Sequence, residues 1–306
     1  MSENTNLLSA GAGIAGRNKR YVVWFYLLNL MFAHFGATAF KDAAHGVLDH
    51  SLHAGKLLDG FNLGVFIELL ARPEFGPLAG VTHPAMMFGV VFFLASLLFM
   101  PGVLLGYASH HRLPRDEFYR ACGRNVWRFV RLFLFFTVIA GMVAGILFGV
   151  RGALVAAADK TSNERLPFFI KLAGTTIVFL VLTVIRIWFD LAQTDVVLRD
   201  QAAVSKSVVA GFRKTWRNLG RLLGSYLVIA IVALAVLVAG VWLWHAIVPP
   251  SSVVGAFIVG QATLLLLLAA RFWQRATAVA FYVRERAEPM VEEARPIPVF
   301  AAPAVP

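Results

Sequence analysis

Charge is scarce in this chain. Aspartate, glutamate, lysine and arginine make up 15% of its 306 residues, against about 25% in an ordinary soluble domain. Apolar residues make up 59%, and the mean hydropathy is +0.72. That balance excludes ordinary soluble globular domains. It also excludes a disordered chain, which needs low hydrophobicity and high net charge. Cysteine is nearly absent, with Cys122 standing alone, so neither an internal disulfide nor a cysteine-cluster metal site is expected. No serine–histidine pair, paired carboxylates or phosphate loop stands at a recognisable spacing, so neither an enzymatic activity nor a cofactor is expected. The stretch from Gly11 to Gly16 matches the dinucleotide pattern GxGxxG. That pattern carries chemistry only between a strand and a helix. Here a basic segment and an apolar run follow it, and no strand precedes it.

What the chain has in quantity is long apolar runs. A membrane-spanning helix needs about 20 mostly apolar residues, because lipid offers no partner to a bare backbone group. Six stretches qualify: 21–40, 84–107, 129–150, 167–191, 222–247 and 253–282. The fold expected is therefore an all-α polytopic transmembrane bundle. Residues 1–20 read as a flexible leader, 21–286 as one six-span membrane domain, and the proline- and alanine-rich 287–306 as a disordered tail. Ala37-Thr38-Ala39 has the small-residue pattern of a signal-peptide cleavage site, but the first span reads as a retained anchor. Pro101 is expected to kink the second span.

Orientation follows from the basic residues. Counting Arg131 at the start of the third span, eighteen lysines and arginines precede the first span, follow the sixth, or belong to the two connections after spans two and four; six lie on the opposite side. Both termini are therefore expected in the cytoplasm, with the chain in the plasma (inner) membrane. The same distribution accounts for the +11 net charge without invoking nucleic acid.

The chain also repeats weakly at an offset of 89 residues, laying 84–150 on 173–239. Arg124, Trp127 and Arg128 align with Arg213, Trp216 and Arg217. Both basic connections have apolar residues at helical spacing, so two cytoplasmic interfacial amphipathic helices are expected. Each would place cations at anionic headgroups and tryptophan at the interface. Either they are anchoring elbows, or they bind a lipid headgroup or a protein partner.

Other candidates are fewer. Gly141, Gly145 and Gly149 share one face of the third span, a spacing that lets helices approach closely; intramolecular packing is expected, with a homodimer face as the alternative. Asp190 lies one turn from Arg186 at the end of span four, with Arg271 and Arg275 at similar depth in span six. Because intramembrane charges are costly alone, Asp190 is a functional candidate with Arg186 or Arg271 as its ion-pair partner; the alternative is a structural ion pair at the interface. Gln261 lies deeper. In the loop after span one, His45, Asp49 and His53 fall at i, i+4 and i+8, and their side chains are metal-ligand types; the alternative is a solvated interfacial helix.

The stretch Trp188-Phe189-Asp190-Leu191-Ala192 leads through Val197-Leu198-Arg199-Asp200 to Trp216. It resembles uncharacterised bacterial six-span proteins and the membrane domain attached to some glycerophosphodiester phosphodiesterases, over about residues 84–282. The resemblance implies a plasma-membrane helical protein in which an acidic residue ends span four and an amphipathic helix leads to span five. The catalytic domain of those phosphodiesterases has no counterpart here, so their activity does not carry over. Two functions follow as expectations: a module that binds or moves a lipid or other amphiphile, or a scaffold subunit of a membrane complex. A metal-dependent membrane enzyme is a weaker third.

Overall fold

The computed structural model describes residues 6–48, 78–109, 112–161, 165–249 and 252–293, with residues 64 and 67. Most of these residues are helical, and no strand occurs among them. The helices are α1 (Leu7–Arg17), α2 (Lys19–Gly36), α3 (Thr38–Leu48), α4 (Leu78–Ala108), α5 (Arg115–Ala158), α6 (Leu166–Leu198), α7 (Val204–Arg217), α8 (Leu219–Ile247) and α9 (Val253–Glu293). Five of them, α4, α5, α6, α8 and α9, are long and apolar enough to cross a membrane. The 18 residues of α2 make a helix about 27 Å long; it is not among the five.

Local chemistry sets the ends. Asp116 and Glu117 stand in the first turn of α5, where carboxylates complement the helix dipole. Proline opens the first turn of α6, a position where its missing N–H costs nothing. At the other end of α6, Asp200 adopts a left-handed φ of 53°, and the Gln201 N–H donates to the Val196 carbonyl at 3.2 Å. This is a Schellman ending, with aspartate taking the place usually held by glycine.

The tightly packed core lies at one end of the bundle. Its members are Val103 and Leu104 of α4, Phe129 of α5, Ile187 and Val196 of α6, Leu222 and Tyr226 of α8, and Phe272 and Tyr282 of α9, all at most 2% exposed. Toward the other end the spans part, and Val138, Met142, Ile146, Leu234, Val238 and Phe257 lie exposed. Apolar surface of this extent is foreign to a soluble monomer. It is compatible with a multi-pass membrane protein.

The helix bounds carry the offset of 89 residues. Arg115 and Ala158, the ends of α5, correspond to Val204 and Ile247, the start of α7 and the end of α8. One crossing recurs as well. The Cys122 thiol donates to the Phe99 carbonyl at 3.8 Å, and at the equivalent place Gly211 meets the Trp188 carbonyl.

Four expectations need correction. The leader is not flexible over 7–17: α1 packs along α9, Leu7 is buried, and the Trp273 indole N–H donates to the Leu8 carbonyl at 3.0 Å. Gly11 lies so close to Thr277 that a Cβ would collide with it. The tail is helical as far as Glu293, and 294–306 lie outside the described residues. The first basic connection is not a separate interfacial helix. With no breaker between Arg115 and Ala158 it runs straight into the span, and its apolar stripe of Phe118, Cys122 and Phe129 is buried against protein rather than lipid. Lastly, Gly141, Gly145 and Gly149 face open space. The small-residue face that packs is on α4, where a Cβ on Gly102 would strike Phe118 of α5 and one on Gly106 would strike Tyr21 of α2.

Candidate functional site at the basic end of the bundle

The last three turns of α6 organise the core end. Asp190, Thr194 and Asp195 are all buried. The Tyr226 hydroxyl of α8 donates to Asp190 Oδ2 at 2.9 Å, and the Tyr282 hydroxyl of α9 donates to Asp195 Oδ1 at 2.6 Å. Each carboxylate also stands one turn from an arginine, Arg186 at 3.9 Å and Arg199 at 3.4 Å. Two fully buried tyrosines from two different helices thus fasten α8 and α9 onto α6. A hydrogen bond to a charged acceptor is worth about 1.5–3 kcal/mol, so these two contacts weigh more than any exposed ion pair.

The helix α7 is held to the same end. The Trp188 indole N–H donates to the Val208 carbonyl at 2.6 Å. Lys214 Nζ lies 2.7 Å from the Glu285 carboxylate and 4.1 Å above the Tyr282 ring. Beyond the turn, Asp200 draws in the first basic segment, with Arg128 at 2.5 Å and Arg124 at 3.3 Å. The hydrogen bond from Arg128, aided by the charge of Arg124, holds the Asp200 carboxyl below its usual range. The bridge therefore stays ionised at neutral pH.

These contacts separate two sets of arginines that look alike in sequence. Arg124 and Arg128 are tied to Asp200. Arg213 and Arg217 are exposed and make no ion pair among the described residues. The two tryptophans remain equivalent, with Trp127 63% and Trp216 64% exposed. The buried face of α7 is Val204, Ser207, Val208, Gly211 and Thr215. Beside it runs an exposed apolar stripe of Val209, Phe212 and Trp216, and beyond that the exposed basic residues Lys206, Arg213 and Arg217.

Among the other candidates, Arg186 pairs with Asp190, while no ion pair reaches Arg271 among the described residues. Gln261 accepts a hydrogen bond from the Tyr26 hydroxyl at 3.0 Å, which joins α9 to α2. His45 is exposed, and Asp49 and His53 lie outside the described residues. Among the described residues no group of three metal-ligating side chains gathers.

Sequence reasoning missed Asp195, Tyr226, Tyr282 and the Lys214–Glu285 pair. The signal for Asp195 was present: it is a second aspartate five residues after Asp190, at the end of a long apolar run.

The chain matches no family model, no curated protein and no solved structure. Its function rests on its own residues.

Proposed function

We propose that the protein is a six-span membrane protein whose basic end binds anionic lipid headgroups. Its α2 is the sixth span, and its basic end faces the cytoplasm with both termini. The observation that carries this reading is the three-sided α7. One face packs on the bundle, the next offers Phe212 and Trp216 to acyl chains, and the third offers Arg213 and Arg217 to headgroups. Such a helix lies in the interface plane, and tryptophan holds it at that level. The lysine and arginine distribution supports the orientation.

A cation near an anionic surface is worth about 1 kcal/mol. Losing two cations should therefore weaken lipid retention roughly 30-fold. The Arg213→Gln/Arg217→Gln protein should keep its fold and lose most of the anionic lipid that copurifies with wild type, counted by mass spectrometry. High salt should produce the same loss in wild type, because exposed charges are screened. Arg124→Gln/Arg128→Gln should lose much less, since Asp200 already occupies those cations. Equal lipid retention in wild type and the Arg213/Arg217 variant would sink lipid binding. It would favour a scaffold role, which the open glycine face of α5 could serve.

Topology is checked separately. Single cysteines at Ser205 and Asp159 should label from opposite sides of sealed cells, Ser205 from inside and Asp159 from outside. Labelling of Ser205 from outside would overturn the orientation.

A further inference from the structure

A cluster of poorly compensated positive charge lies beside Asp190. Arg186, Arg271 and Arg275 stand within electrostatic reach of one another and of that carboxylate. Asp190 is the acidic group among them, and it is already engaged by Tyr226 at 2.9 Å. Arg186 reaches it only at 3.9 Å, beyond hydrogen-bond distance. Three guanidiniums therefore share one carboxylate, and no ion pair reaches Arg271 or Arg275 among the described residues.

A second observation is independent of the charge count. The Arg275 Nε and the Tyr107 hydroxyl are both buried without a hydrogen-bond partner. Tyr107 is 3% exposed, and it too lies within electrostatic reach of Arg275. Buried donors without partners are rare, because each forfeits its water. Among the described residues, neither finds an acceptor.

The position says where an acceptor would come from. Residues 253–270 of α9 carry no charge, and 18 helical residues rise about 27 Å, close to the roughly 30 Å hydrocarbon thickness. Arg271 follows directly and is exposed. The cluster therefore sits at headgroup level, open on the Arg271 side and closed on the Tyr107 side.

We propose that Arg186, Arg271, Arg275 and the Tyr107 hydroxyl bind a phosphate group, either that of a phospholipid entering sideways from the leaflet or free phosphate. A phosphate suits the donors. Guanidinium forks match its oxygens two at a time, the hydroxyl donates to another, and its negative charge offsets the excess beside Asp190. The site is distinct from the α7 surface and rests on the membrane reading only for the lipid as a source.

Salt separates the two sites, since exposed ion pairs are screened and partly buried ones much less so. Native mass spectrometry of the detergent-purified protein in high salt, which strips α7, should still show about one phospholipid per chain. Arg271→Gln/Arg275→Gln should lose it, Arg275→Lys should keep part of it, and Arg213→Gln/Arg217→Gln should keep all of it. In the second arm, inorganic phosphate is titrated into delipidated protein. A rise in melting temperature in wild type but not in Arg271→Gln/Arg275→Gln, with no salt-resistant lipid, would assign the site to free phosphate. Wild type that neither retains a phospholipid in high salt nor is stabilised by phosphate overturns the proposal, and so does a folded Arg271→Gln/Arg275→Gln that behaves as wild type in both arms. Loss of lipid from the α7 variant at low salt bears only on the surface reading.

Discussion

Leucine at position 211 should destabilise the protein by about 3 kcal/mol or prevent its assembly. Gly211 is where α7 crosses α6. A Cβ there would lie 2.9 Å from the Trp188 carbonyl oxygen and 3.0 Å from the Ala192 nitrogen. Both are backbone atoms of a helix, so neither can swing aside. The whole of α7 would have to lift, stretching the 2.6 Å hydrogen bond from Trp188 to Val208 and shifting Lys214 from Tyr282 and Glu285. Overpacking a rigid contact typically costs about 1–3 kcal/mol, and the coupled contacts push this case to the upper end. Gly145→Leu, in open space, should leave melting in detergent unchanged. If the two variants melt alike, the crossing is not held by this contact.

That contrast shows what the sequence could and could not reveal. Five long apolar helices were legible because the length of an apolar run and a shortage of charge are properties of the chain alone. Which glycines pack was not. Gly141, Gly145 and Gly149 have the spacing of a packing face, but so do Gly102 and Gly106, and only the second pair meets another helix. Spacing says that a close approach is possible; the neighbouring element decides whether it happens. The two arginine pairs differ for a similar reason. Arg124 and Arg128 share a type and register with Arg213 and Arg217, yet the left-handed turn at Asp200 carries a carboxylate to the first pair alone.

The leader shows the opposite limit. Its glycines suggested flexibility, which is their intrinsic tendency. In the fold Gly11 serves close approach by admitting the Thr277 side of α9, while Gly13 and Gly16 face open space, and helix contact outweighs the entropy. The polar core was only half legible. Asp190 announced itself as a charge in an apolar run, but its hydrogen-bond partner lies 36 residues on in sequence, and no local pattern points to Tyr226.

Asp190→Ala should be among the most costly single changes, at about 3 kcal/mol or more. The substitution removes the carboxylate shared by Arg186, Arg271 and Arg275 and leaves the fully buried Tyr226 hydroxyl without an acceptor. Breaking a buried pair by deleting one partner typically costs about 3–5 kcal/mol. The lower end applies here because the Arg186 side chain is 35% exposed and can turn toward water or headgroups. Tyr226→Phe removes only the donor, so it should cost about 1.5–3 kcal/mol, the worth of one hydrogen bond to a charged acceptor. The double variant should cost less than the sum of the two, since the orphaned hydroxyl is gone; contacting residues show such coupling at about 0.5–3 kcal/mol. Asp200→Ala tests the alternative that any aspartate near these arginines matters. Its carboxylate is half-exposed, so losing the bridge should matter little. Placing alanine at the left-handed turn should cost only about 1 kcal/mol, well below Asp190→Ala. Denaturant or thermal melts of the four proteins in one detergent decide the matter. If Asp190→Ala proves no more damaging than Asp200→Ala, the core end is not held together by the buried carboxylate of α6.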